Sequence, residues 1–233
     1  METIADRIIG FNANLRYSGP LPPGVSVMNP FLENRGALEA SSAFYGKYYS
    51  DNEPRYFIIG INPGRFGAGL TGVPFTDPKR LREYCGIDSY EGPSAHEPSS
   101  EFIYTMIGRY GGVEKFYRKF YINSVCPLGF TVKGKNGKEV NYNYYDSKAL
   151  TECAAGFMLE SMRKQIALGL RTDVCFCLGT GKNAKFIAEF NEKYGFFGKI
   201  IPLEHPRYII QYKSKSMPEY IDKYLEAFGR LRE

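Results

Sequence analysis

No tryptophan, only two histidines and no Cys-x-x-Cys pair occur in these 233 residues, and each shortage narrows the chemistry. Without tryptophan, any stacking or aromatic core falls to 19 tyrosines and 17 phenylalanines. The cysteines (Cys85, Cys126, Cys153, Cys175 and Cys177) lack the spacing of a zinc or iron–sulfur site. They read as free thiols of a reducing compartment. Cys175 and Cys177 lie in the apolar run Val174–Leu178, where a strand would turn both to one side as small core residues. No apolar stretch approaches the roughly 18 residues of a membrane span. The start, Met1-Glu2-Thr3-Ile4-Ala5-Asp6-Arg7, reads as an amphipathic helix and not as a signal peptide. The expectation is an intracellular protein, cytoplasmic if bacterial, with no membrane partner. Repeats, low-complexity blocks and long charged tails are missing as well.

What is present is a mildly basic chain, net charge +5 and pI about 8.8, compatible with a polyanionic partner without requiring one. The length predicts a single domain over 1–233. Four apolar runs read as strands: Tyr56–Ile61, Phe120–Ile122, Asp173–Leu178 and Lys199–Leu203. Helical spacing marks Glu2–Leu15, and Ser147–Leu170 with Leu150, Ala154, Phe157, Met158, Met162 and Ile166 on one face. A helix capped by Ser100 is expected to reach Lys119, broken near Gly108, Gly111 and Gly112. Another ends at Tyr194, and the last runs from Met217 to Leu231 with Ser216 as N-cap. Asn136-Gly137 signals a hairpin turn. Strands alternating with helices predict an α/β, three-layer fold, a central four-stranded parallel sheet flanked by helices.

Three of the predicted strands end alike. The first stops at Asn62-Pro63-Gly64, because Pro63 cannot donate to a ladder. The second ends at Asn123 with Pro127 close behind, and the fourth at His205-Pro206. In a parallel sheet all three fall at the carboxyl edge, where ligands of open α/β sheets bind. Their convergence marks a candidate site.

Other motifs fail. Gly179-Thr180-Gly181-Lys182-Asn183 has Asn183 where a phosphate loop needs Ser or Thr, and Phe176 where it needs glycine. Gly64, Gly67 and Gly69 lack dinucleotide-fingerprint spacing. Nucleophilic catalysis has little support: His96 sits in the loop-like Pro93–Pro98, and Cys126 lacks a nucleophile elbow.

The run Gly60-Ile61-Asn62-Pro63-Gly64-Arg65-Phe66-Gly67, continuing through Thr71-Gly72-Val73-Pro74-Phe75, resembles the first motif of the uracil-DNA glycosylase superfamily. It is most similar to the single-strand-selective monofunctional branch. Asn123-Ser124-Val125-Cys126-Pro127-Leu128, His205-Pro206 and Met28-Asn29-Pro30 resemble further segments of that branch, in order over roughly residues 5–230.

The resemblance implies a uracil-DNA glycosylase-like fold and removal of uracil from DNA, by a monomer that needs no metal or organic cofactor. Asn62 would position the attacking water, since an amide cannot be a general base. His205 would donate a hydrogen bond to the base O2 as charge develops there. Asn123 would read the base edge, Phe75 would stack on the flipped base, and Ile61, Gly64 and Ala68 would complete the pocket. Arg65, Arg207, Tyr208 and Lys213 would contact DNA, with Arg207 or Tyr208 as the plug where the branch has a Ser-Pro-Arg-like stretch. Ala68 stands where a methionine is typical, which would enlarge the pocket beside the pyrimidine C5 face. Two alternatives stay open: a same-fold glycosylase for xanthine or hypoxanthine, and a non-catalytic binder of damaged or single-stranded DNA.

Overall fold

Six consecutive buried residues, Arg55–Gly60, form the strand around which the molecule is organised. The computed structural model describes residues 2–231; Met1, Arg232 and Glu233, with the ends of the expected 1–233 unit, lie outside the described residues. The elements run α1 (Ile4–Ala13), β1 (Val25–Met28), α2 (Pro30–Glu33), α3 (Arg35–Tyr48), β2 (Arg55–Gly60), α4 (Ala68–Thr71), α5 (Pro78–Glu83), α6 (Pro98–Tyr110) and α7 (Val113–Lys119). They continue with β3 (Phe120–Ser124), β4 (Gly129–Lys133), β5 (Glu139–Tyr142), α8 (Lys148–Ala167), β6 (Leu170–Leu178), α9 (Lys182–Tyr194), β7 (Lys199–Leu203), α10 (Pro206–Tyr212) and α11 (Met217–Gly229).

The central sheet is the expected one: four parallel strands in the order β3-β2-β6-β7. β2 and β3 are buried along their whole length and read as apolar runs, as does the buried end of β6, while β7 is a half-exposed edge strand that still carries an apolar stretch. One row, Asn123–Ile59–Cys177–Pro202, crosses the whole sheet. Asn62, Ser124 and His205 therefore emerge just beyond one edge. The chain leaves β2 toward β3 on one side and β6 toward β7 on the other, so the topological switch point lies between β2 and β6.

Aromatic rings fill the core. Phe228 of α11 packs 4.5 Å from Phe120 and 4.8 Å from Phe176, centroid to centroid. Buried tyrosines need partners for their hydroxyls: Tyr49 donates to Phe120 O at 2.8 Å, and Tyr104 meets Thr76 Oγ1 at 2.9 Å. Cys126 and Cys177 are buried thiols, pushed up to about 12 by desolvation, and are packing residues. Among the described residues no group of three or more His, Cys, Asp or Glu is arranged to hold a metal. No helix among the described residues is long and apolar enough to cross a membrane.

At the start of β2, Arg55 is 0% exposed. Its guanidinium donates to both oxygens of Asp51 at 2.7 and 2.9 Å, to the carbonyls of Tyr117 and Tyr48 at 3.1 and 3.5 Å, and to that of Glu53. All five donors of the buried cation are thereby satisfied.

Several local expectations need correction. Ser100 does not cap α6. Pro98 occupies the first turn, and the Ser100 hydroxyl donates inside the helix to Asp77 Oδ2 and Glu97 O. Helix α8 ends at Ala167, and β6 begins at Leu170 instead of Asp173. Ser216 does precede α11, yet its side chain makes no capping bond, and the helix ends at Gly229. The predicted hairpin is present as β4–β5, its turn closed by Gly134 N–H to Lys138 O at 2.7 Å with Gly137 at φ 75°. It belongs to a second, antiparallel sheet in the order β1-β4-β5, which the sequence reading did not anticipate.

Candidate active site

Beyond β2, Pro63 ends the ladder and Asn62 turns its amide onto the segment leaving β5. Asn62 Oδ1 accepts the Tyr144 N–H at 3.1 Å, and Nδ2 donates to Tyr142 O at 3.3 Å. The amide thus braces the second sheet against the first, and one Oδ1 lone pair stays uncommitted.

Beyond β7, His205 is the N-cap of α10, with Pro206 in the first turn. Its Nδ1 accepts the Arg207 N–H at 3.1 Å, which puts the ring proton on Nε2. Burial first, then the Arg207 charge, lowers its pKa to about 4. At neutral pH the imidazole is an uncharged Nε2–H donor.

Phe75 is the one non-glycine residue with a left-handed backbone among the described residues, at φ 54°. That conformation costs on the order of 1 kcal/mol and persists because its surroundings over-determine it. Thr71 Oγ1 donates to Thr76 O at 2.6 Å and accepts the Val73 N–H at 3.2 Å, closing the loop around the strained residue. The Phe75 ring ends 5.7 Å from the His205 ring, tilted 55°.

Asn62, Phe75, His205 and Ser124 line one cavity of about 590 Å³ at the carboxyl edge of the sheet, with Ile61, Gly64 and Ala68 beside them. Its size lies within the usual 300–1,000 Å³ or so for small-molecule sites. Arg207 and Tyr208 of α10 also line it.

Three expected site residues are placed differently. Asn123 is 6% exposed and its amide is engaged: Nδ2 donates to Tyr121 Oη at 2.6 Å, and Oδ1 accepts the Ser124 N–H at 2.8 Å. It borders a void of about 10 Å³ behind the main cavity. Pro63, Ala68 and Pro74 touch both spaces and form the partition. Arg65 does not line the mouth. Its guanidinium donates to Glu139 O on the hairpin and lies 5.4 Å from the Phe66 ring. Lys213 follows the last residue of α10, exposed and off the cavity wall.

Part of the wall comes from residues outside the three strand-end motifs. Asn141 and Asn143, from the hairpin, line the cavity, and Asn141 Oδ1 accepts the Arg65 N–H at 3.0 Å. His96 and Glu97, read as belonging to a plain loop, line it too. Their segment is clamped by Asp77, which is fully buried and accepts the Glu97 N–H and the Ser100 hydroxyl, each at 3.0 Å. The rim is aromatic: Phe66, Tyr208 and Tyr212 are 49%, 43% and 65% exposed.

The carboxyl edge of a parallel α/β sheet thus gathers an amide, a phenyl ring and a neutral imidazole in one cavity. The family model of the Uracil DNA glycosylase superfamily matches residues 47–229, and the chain belongs to that superfamily. The crystal structure of wild-type Pedobacter heparinus SMUG2 is 59% identical, with TM-score 0.96 over 98% of both chains. The Rattus norvegicus single-strand selective monofunctional uracil-DNA glycosylase is 29% identical over 112 residues, 40% of this chain and 39% of that protein. The Bos taurus relative of the same name is 25% identical over 100 residues, covering 36% and 37%. The matched stretch spans about two fifths of these curated relatives.

Proposed function

We propose that the protein is a monofunctional DNA glycosylase that takes a flipped uracil into the edge cavity and hydrolyses its N-glycosidic bond, leaving an abasic site. The observation that carries this reading is the neutral His205, its Nε2–H free to donate, in one cavity with Asn62 and Phe75. When the C1′–N1 bond breaks, its electron pair passes to the base, and charge grows on O2. A fixed, uncharged donor in a sheltered site stabilises that charge without reorganising. Asn62 holds the water that adds to C1′, through the lone pair left after Tyr144, and the proton this water sheds balances the charge on the departing base. Phe75 covers one face of the base. Nothing in this sequence of steps requires a metal or organic cofactor.

Asn123 reads the base edge in this account once the base displaces the partition at Ala68, its amide keeping one N–H and one lone pair uncommitted. Arg207 and Lys213 meet phosphates, making binding salt-sensitive, and Arg65 reaches DNA only by leaving the hairpin. The names of the curated relatives, and a rim of Phe66, Tyr208 and Tyr212 on which unpaired bases can stack, favour single strands. Flipping costs a few kcal/mol and least in single strands. The protein is taken to act as a monomer.

The cavity volume and the short Ala68 side chain favour one extension, acceptance of xanthine or hypoxanthine. Chromatography of free bases released from single-stranded oligonucleotides carrying uracil, hypoxanthine or xanthine tests both. Release of uracil with the strand intact until alkali is the expected result. No free base from any substrate at stoichiometric enzyme would leave a binding protein.

A further inference from the structure

Glu97 has no part in the steps above, and its placement is unusual. Among the described residues it is the one carboxyl on the cavity wall. Its Oε2 is shielded from solvent and has no hydrogen-bond partner. The rest of the residue is fixed: Asp77 holds its N–H at 3.0 Å, and Pro98 starts α6 directly after it. The carboxyl lies where a side chain on Gly67 would be, since a Cβ built there would fall 1.9 Å from Oε2. Gly67 sits at φ −115°, ψ −104°, outside the α and β regions open to residues with a Cβ, and this carboxyl fills the space that a side chain would need as well. A glycine in the first motif thus makes room for a polar group that bonds nothing in the unliganded protein. Leaving such a group unpaired is unfavourable, and a ligand that pairs it recovers the loss.

We propose that Glu97 is a second leaving-group residue of this pocket, a neutral carboxylic acid whose Oε2–H donates to a carbonyl oxygen of the bound base. The bond strengthens as the base takes up the electron pair of the breaking glycosidic bond. The proton stays on Glu97 throughout. Desolvation, with Asp77 adding to it, raises the carboxyl to about 8 against the opposing charges of Arg207 and Arg80. Those three face it from the start of α5 and from α10; His96 and His205 share the cavity. Two groups of opposite type are thus both held neutral by burial, and both serve as donors where anionic charge develops.

The inference rests on the glycosylase reading, and one experiment separates the two. Single-turnover excision from a single-stranded uracil oligonucleotide is followed from pH 6 to 9.5, with oligonucleotide affinity and thermal melting measured alongside. Glu97→Ala is expected to lose about 10²-fold in rate with affinity nearly unchanged, while Glu97→Gln, which keeps a neutral donor, stays within about tenfold of wild type. The wild-type rate falls as pH rises through about 8, and the Glu97→Gln rate does not. If Glu97→Ala excises as fast as wild type, or the wild-type rate rises through that pH, Glu97 is no donor and the glycosylase reading stands without it. If folded wild type releases no base, both are overturned.

Discussion

His205 Nδ1 accepts the Arg207 N–H at 3.1 Å, and this bond within the first turn of α10 decides which proton the imidazole can offer. Because Nδ1 is occupied as an acceptor, the donor is Nε2. With the ring pKa at about 4, the donor form persists over the whole physiological range. His205→Ala is predicted to lower single-turnover excision about 10²- to 10³-fold, as removal of an oxyanion-type donor does elsewhere. The wild-type pH profile should show no histidine step near 6.5. The sign for stability follows from the lowered value: the unfolded chain binds the proton first, so the wild type loses stability as pH falls from about 6.5 toward 4. His205→Ala lacks this contribution, and acid titration of thermal melting compares the two.

Asn62 both lines the cavity and braces the hairpin. In Asn62→Asp, Oδ1 still accepts from Tyr144, while the second oxygen replaces a donor 3.3 Å from Tyr142 O. A donated hydrogen bond becomes a repulsive contact, and stability should drop by about 1–3 kcal/mol. Urea unfolding at pH 7 measures it. An unchanged midpoint would mean that the bond to β5 contributes nothing.

Gly67→Ala puts a Cβ 1.9 Å from Glu97 Oε2 and asks alanine to hold φ −115°, ψ −104°, so its thermal melting is measured beside its rate. The expected result is a displaced carboxyl and a rate loss similar to that of Glu97→Ala. The double variant should lose no more than either single one, since both remove the same group. Additive losses would contradict the shared cause.

Arg55 tests the fold away from the site. Arg55→Met removes a fully buried cation and leaves the carbonyls of Tyr117, Tyr48 and Glu53 unpaired, while the half-exposed Asp51 keeps its contact with water, at a cost of about 1–3 kcal/mol. The Arg55 hydrogen bonds hold the Asp51 carboxyl below its ordinary value, so their stabilisation is present above about pH 4 and is lost as pH falls below it. The variant should be less stable at pH 7 and show a shallower acid transition. Excision below its melting range should stay near wild type.

The four parallel strands were legible because each carries an apolar stretch followed within a few residues by a proline or glycine. The edge placement of Asn62 and His205 followed from that. Strand β1 was not legible: Val25-Ser26-Val27-Met28 is short, half-buried and set among Gly and Pro, and only pairing with β4 makes it a strand. Asn123 was correctly placed at a strand end, but its bonds to Tyr121 and Ser124 depend on packing that no spacing reveals. Glu97 did carry a signal, since Glu-Pro ahead of a helical run marks a helix start. Its meeting with Gly67 joins segments far apart in the chain and exists only in three dimensions.

An alkali-cleavage gel of single-stranded, U:G and U:A oligonucleotides, run under single turnover without divalent metal, tests uracil excision by this cavity most directly. Wild type is compared with Asn62→Ala and His205→Ala. The prediction is strand breaks that appear only after alkali, fastest on the single strand, and reduced about 10²-fold or more in both folded variants. Equal product from wild type and both variants, or none from wild type, would contradict the assignment of this cavity as the site of uracil excision.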